Sequence, residues 1–439
     1  VASATWVGQW LSARSDQGSA TAGQSITQTR PGLDPSVPLV DVPAAADLGP
    51  IDDQIAIWSA KAAANDDDYI SATNLGVLYL GRARLTGDLA DYGRADEAVR
   101  RALLADPGYQ PARALDGVVR YATHDFAGAV ASAGELLADE PGLVDALTVF
   151  ADASLELGRV EQARGAYDRL AAMVPGPALD TRLARLAYLT GNRARSLELA
   201  RGARDAALRQ RTTEPAFYHY QLGEFARLTG DGGLARESFL AALAARPGDR
   251  GSLLGLARVD AADGRRDEAI AGLRRAAAIA PEPATVALLG DLLALDGDQA
   301  AADREYDTVR LSVKLDALAG SVFDRQLMLF ELDHGGSAAE VLEGAVASLA
   351  TRTDAAGHDV VAWALHRLGR EDEARAAIEN ARATGIHDAR ILFHAGAISV
   401  AMGDYAVGRS LLEEALDLGP ALDPIEREEA LQLLRRAGG

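Results

Sequence analysis

Small and apolar residues recur along this chain at the spacing of a helix face, and glycines, prolines and polar residues cut the pattern into short units. The stretch Glu214–Asp249, EPAFYHYQLGEFARLTGDGGLARESFLAALAARPGD, spells it most clearly. It predicts two short helices joined by a tight turn at Gly230-Asp231, with Pro247 closing the unit. Gly223 lies in the first helix, and Ala235 and Ala242 lie two turns apart in the second. Residues seven apart share one side of a helix, so the alanine stripe is a contact face. Small residues there let two helices approach at the short end of the usual ~8–10 Å separation.

The same spelling recurs. The small residue near the start of each second helix is Ala95, Ala129, Ala163, Ser196, Ala235, Ala269, Ala302, Ala339, Ala374 and Gly408, at spacings of 34, 34, 33, 39, 34, 33, 37, 35 and 34. A helix–turn–helix period near 34 predicts a solenoid. Glycine follows the first helix at 158, 191, 230, 264, 297, 369 and 403, where it suits a left-handed cap. Two units carry His124 and His334 there, read as turn residues. Pro50 opens a helix with acids in its first turn. The tail from Leu422 predicts a capping helix, with Ile425, Ala430, Leu431 and Leu434 inside and charges outside. Extra residues in the opening unit, at 209–215 and at 311–322 predict longer helices or a changed stacking angle.

This pattern resembles the tetratricopeptide repeat (TPR) family over roughly residues 50–439. The family's small first-helix residue matches Gly76, Gly117, Ala151, Ala184, Gly223, Ala257, Gly290, Ala362 and Gly396, with Leu327 breaking it in the eighth unit. Its terminal proline matches Pro107, Pro141, Pro175, Pro247, Pro281 and Pro420. The resemblance implies an all-α, right-handed α-solenoid of about ten repeats. It divides the chain into an arm (1–49), a solenoid (50–420) and a capping helix (421–439). It also implies that the first helices line a concave groove for a protein or peptide partner. Tyr188, Phe217, Tyr220, Glu224, Arg227, Arg258, Trp363 and His366 are the groove residues it selects, and Phe217, Tyr220, Glu224 and Arg227 are expected to be exposed. The Lys, Arg and Asn ring with which some relatives clamp a terminal carboxylate has no counterpart: only Lys61 and Lys314 occur, and the four asparagines lie elsewhere.

Residues 1–49 differ, being rich in Ser, Thr, Gly, Ala and Pro, which suits an extended arm. Trp6, Trp10, Ile26, Val37 and Leu39 are its available anchors, either along its own solenoid or on a second subunit. The opening Val1-Ala2-Ser3-Ala4 fits the small-residue pattern left after export, so a periplasmic, cell-surface or extracellular location is expected, with a cytoplasmic one as the alternative. A net charge of −20 argues against a general grip on nucleic acid or an anionic membrane surface. No apolar run approaches the ~18 residues of a membrane span, and no cysteine is present to form disulfides or thiolate metal sites.

Candidate chemistry is sparse. The phosphate-loop, zinc-protease, nucleophile-elbow and dinucleotide motifs are absent. Asp66–Asp68 and Asp296–Asp298 lack the glutamate that closes a calcium loop, and read as turns or N-caps. His358, His366, His387 and His394 cluster near the end with Asp359, but packing and surface roles explain them without a metal. The sequence therefore predicts a non-enzymatic interaction scaffold with no cofactor, joined to a larger assembly through its arm. A monomeric peptide-binding adaptor and a filament subunit are the alternatives.

Overall fold

The computed structural model describes residues 49–86, 88, 90–212, 214–318, 325–350 and 353–437. The arm anchors Trp6, Trp10, Ile26, Val37 and Leu39 lie outside the described residues. Twenty-two α-helices and one 3-10 turn follow one another, with no strand among the described residues. They begin α1 (Gly49–Ala64), α2 (Tyr69–Thr86), α3 (Ala90–Ala105), α4 (Gln110–Ala122), α5 (Phe126–Asp139), α6 (Val144–Glu156) and α7 (Val160–Met173). Next come α8 (Pro177–Leu189), α9 (Arg193–Gln210), α10 (Pro215–Leu228), α11 (Gly232–Ala245), α12 (Arg250–Ala262), α13 (Arg266–Ile279) and α14 (Pro283–Leu295). The chain ends with α15 (Gln299–Leu318), α16 (Arg325–Asp333), α17 (Ala338–Leu349), α18 (Ala355–Arg367), α19 (Glu371–Ala383), α20 (Ala389–Ala401), α21 (Tyr405–Asp417), the 3-10 turn Gly419–Ala421 and α22 (Pro424–Ala437). The architecture is a TPR-like helical repeat. It packs as two compact units, the first lying mostly before Asp180 with Arg211, Thr212, Glu214 and Leu318 added, and the second holding most of the chain from Asp180 onward.

The turn chemistry is local and repeated. At the end of α10, Gly230 sits at φ +88°, the Asp231 N–H reaches back to the Ala226 carbonyl at 2.8 Å, and Asp231 then caps α11 by accepting from the Leu234 N–H. All seven cap glycines have φ between +72° and +88°, a region costly for a side-chain-bearing residue. His124 adopts it at +64°, as a turn residue should. The other histidine is a correction. The left-handed residue of that turn is Gly335 at +77°, and His334 instead joins α16 to α14. Asp68 and Asp298 are N-caps, accepting from the Ser71 and Ala301 N–H groups.

In the first unit, Ala95, Ala129 and Ala163 are completely buried, and α4 to α6 close around Leu115, Val119, Phe126 and Leu136. In the second, Phe239 of α11 is completely buried between two glycines. A Cβ would come within 2.7 Å of its ring at Gly223 and within 2.3 Å at Gly255. Those two positions are therefore small because one aromatic ring fills the space between their helices. At the extra residues of 209–215 and 311–322 the preceding second helix is long, 18 residues in α9, which ends at Gln210, and 20 in α15, which ends at Leu318.

The eighth unit needs a second correction. Ala339 is exposed, and the contact face of α17 runs through Ala338, Val341, Leu342 and Ala345, one residue earlier. The tail needs a third. Ala430 is buried in α22 as expected, but Ile425, Leu431 and Leu434 are half-buried, and Glu426 faces inward with only 5% of its surface accessible.

Candidate protein-binding groove

The candidate site lies within the second unit, on the first helices of its repeats. A capping helix in an ordinary solenoid covers only the last repeat. Here α22 packs on α20 and α21 as a cap should, but also reaches α12 and α14. The 3-10 turn before it packs on α10 and α12. Residues 419–437 thus lie against first helices of repeats that begin some 200 residues earlier.

Three arginines hold it. Arg227 of α10 donates to the Pro420 carbonyl at 3.0 Å while its other nitrogens engage Glu224 at 3.1 and 3.2 Å. Arg258 of α12 donates to Asp423 at 3.1 Å, and Arg390 of α20 donates to Asp423 at 3.0 Å and Glu426 at 2.5 Å. Arginine suits this task because its planar fork stays charged and can engage two acceptors at once. Burial works against the Arg227 and Arg390 charges, but the facing carboxylates hold both guanidiniums above their ordinary range. Burial also opposes ionisation of Asp423, yet Arg258 and Arg390 leave its carboxyl below the usual carboxylate range. Glu426 goes the other way: burial pushes its carboxyl up to about 7, against the pull of Arg390.

Of the selected aromatics, Tyr188 makes a long-range contact and Tyr220 packs between neighbouring repeats. Tyr188 of α8 is buried and donates to Asp388 at 2.8 Å; Asp388 in turn caps α20 through the Arg390 and Ile391 N–H groups. Tyr220 is buried, its ring packed on Gly251, where a Cβ would sit 2.8 Å away. Burial pushes both phenols well above their ordinary range. The exposure expected of Tyr220 and Arg227 is therefore corrected: Tyr220 packs between α10 and α12 against Gly251 and Phe239, and the tail covers Arg227. Phe217 and Glu224 are half-buried, Phe217 packing with Tyr218 beside Ala203 and Ala207.

Trp363 is completely buried, stacked on His394 at 4.0 Å between centroids, and its indole N–H donates to Asp333 at 2.8 Å. His366 stacks on the same ring and meets Glu371 at 2.9 Å. His394 pairs with Asp359 at 2.7 Å, His387 lies 3.1 Å from Glu414, and burial lowers the pKa of His358. The four histidines have different surroundings, and among the described residues no three His, Asp or Glu side chains converge as metal ligands. Arg390, Asp423 and Glu426 were the residues sequence reasoning missed. The only available signal was the acidic pair of the tail lying beyond the last apolar unit.

No family model matches the sequence, and no curated protein matches it. Solved structures similar to it include the APC/C hetero-tetramer Cut9–Hcn1, at 16% identity over 82% of this chain and 76% of that one, with a TM-score of 0.41. Another is PilW, a widely conserved type IV pilus biogenesis factor, at 19% identity over 46% of this chain and 92% of that one, TM-score 0.39. A third is YrrB, a TPR protein with an unusual peptide-binding site, at 15% identity over 43% and 94%, TM-score 0.29. The TPR-like character of this chain rests on its own helix pairs, their small crossing residues and their period.

Proposed function

We propose that this chain is a non-enzymatic scaffold that holds protein segments on the inner faces of its repeats. One observation carries the reading: the inner face of the second unit already holds a stretch of polypeptide, by arginine contacts to a backbone carbonyl and to carboxylates. Tyrosine and arginine are the usual anchors of protein interfaces, and Tyr188, Tyr220, Arg227 and Arg258 supply both. Phe217, Glu224, Trp363 and His366 complete the proposed face, with Trp363 acting from beneath as a support. No helix of the described residues is long and apolar enough to cross a membrane. The test places a photo-crosslinking side chain at Phe217 or His366 of the intact chain, with Leu240, which is 49% exposed on α11, as the outward control. A discrete protein adduct from the inner positions alone supports the reading; equal yields from Leu240, or none anywhere, sink it.

A second reading makes the chain an exported subunit of an assembly or filament, linked through residues 1–49. The composition of that arm, with Trp6, Trp10, Ile26, Val37 and Leu39 among polar residues, favours it. Deleting residues 1–49 should preserve helical content by circular dichroism and abolish high-mass species in light scattering. Persistence of those species would end this reading.

A further inference from the structure

We propose that residues 420–426, Pro-Ala-Leu-Asp-Pro-Ile-Glu, are a built-in ligand, and that the arginine-lined face they occupy takes in their place a partner segment of the same chemistry. That chemistry is a proline-led turn entering a helix that begins Asp-x-x-Glu. The proposal rests on the scaffold reading and names both its partner class and its gate.

Three observations support it. The first is reach: capping requires only α20 and α21, yet the tail also engages Arg227, 193 residues before Pro420, and Arg258, 165 residues before Asp423. The second is chemistry. The tail does present buried Leu422, but its long-range contacts to Arg227 and Arg258 use a carbonyl and a carboxylate, and Arg390 of the capping neighbour α20 adds a pair to each carboxylate. Glu426 is turned inward where a solvent-facing charge would serve an ordinary cap. The third is preorganisation. The Asp423 N–H donates to Glu426 at 3.2 Å and Pro424 starts the helix, so the two carboxylates are fixed in the geometry the arginines meet. Contacts of this kind can exchange with a partner. The side chains of Arg258, Arg390 and Asp423 remain 20%, 30% and 21% accessible, and the tail hangs on a single 3-10 turn beginning at Gly419, φ +55°.

The probe is a labelled peptide of residues 417–430, DLGPALDPIEREEA, titrated into the full chain and into the full-length Asp423→Asn/Glu426→Gln variant. In the wild type the tethered tail competes at an effective concentration in the millimolar range, so the variant should bind the peptide at least ~tenfold more tightly. A peptide with the same two substitutions, and an added Arg258→Met substitution in the chain, should each abolish binding. A folded variant that ignores the peptide at ~1 mM, or that binds both peptides equally, overturns the proposal. If the variant loses its helical circular dichroism, the wild type decides. Increased amide exchange over residues 419–437 in excess peptide supports the gate, and unchanged protection overturns it. Crosslinking at Phe217 or His366 distinguishes the two failures, since adducts there alongside an unresponsive tail would leave the scaffold standing without this gate.

Discussion

The two units use one repeat grammar and, among the described residues, differ in how far their polar contacts reach. In the first, Arg82 binds Asp91 and Asp52, Arg120 binds Asp116 and Asp125, and Tyr167 donates to Asp152, pairs separated by 4 to 30 residues. The second repeats the tyrosine–aspartate pair at the same 15-residue separation, Tyr306 to Asp291 at 3.0 Å, then adds contacts that span its length. Tyr188 meets Asp388 across 200 residues and Arg227 meets Pro420 across 193. Nearest-neighbour stacking is sufficient to build a repeat array. The second unit shows that a few charged side chains on first helices can turn such an array back on itself without disturbing its helix pairs.

Four measurements would break or sharpen this contrast. Phe239→Ala removes the ring that fills the space between Gly223 and Gly255 and should cost ~3–5 kcal/mol by chemical denaturation. A loss under ~1 kcal/mol would mean that closure by the tail, not helix pairing, holds the second unit. The pH dependence comes next. Glu426 titrates near 7 in the folded chain against an ordinary value of 4.5, so the folded state binds the extra proton between those limits. Its contribution is present below about pH 4.5 and falls by on the order of 3 kcal/mol as pH rises to about 7. Glu426→Gln keeps the cap hydrogen bond and should flatten that slope. A slope unchanged in the variant would assign it to another group.

Gly191 and Gly264 share φ +79°, but only Gly191 faces a carbonyl, that of Gly385, 2.2 Å from where a Cβ would sit. Gly264→Ala should cost ~1 kcal/mol for the backbone conformation alone, and Gly191→Ala ~2–4 kcal/mol because a backbone clash is added. Equal costs would show that the chain shifts freely at the closing contact. Smallest and most even are the caps: Asp125→Ala in the first unit and Asp231→Ala in the second should each cost ~1 kcal/mol. A large difference between them would contradict a shared grammar.

What the sequence revealed follows the same division. Gly223, Ala235 and Gly230 were legible because their reasons lie within one repeat, in a crossing point, a stripe and a left-handed turn. Adjacent equivalents blurred the eighth unit: Ala338 and Ala339 are the same letter one position apart, and Gly335 stands beside His334. Arg227 and Tyr220 were read as exposed first-helix residues of one face; Tyr220 instead packs on Gly251, and the burial of Arg227 was not legible. The period records who stacks on whom, and carries no trace of a partner 193 residues away. Glu426 reads locally as a capping-box glutamate, which it is, and the packing of α22 on α20 gives its second carboxylate oxygen to Arg390.

That return has a consequence in time. A chain leaving the ribosome folds its N-terminal portions first, and in the first unit each arginine named above meets its aspartates within a repeat or so of its own synthesis. Arg227 must wait for 193 more residues, on the order of ten to forty seconds at ordinary elongation rates. Through that interval the inner face of α10 is assembled, charged and empty. The nascent chain is then most open to whatever else presents a free carbonyl to Arg227 or a carboxylate to Arg258.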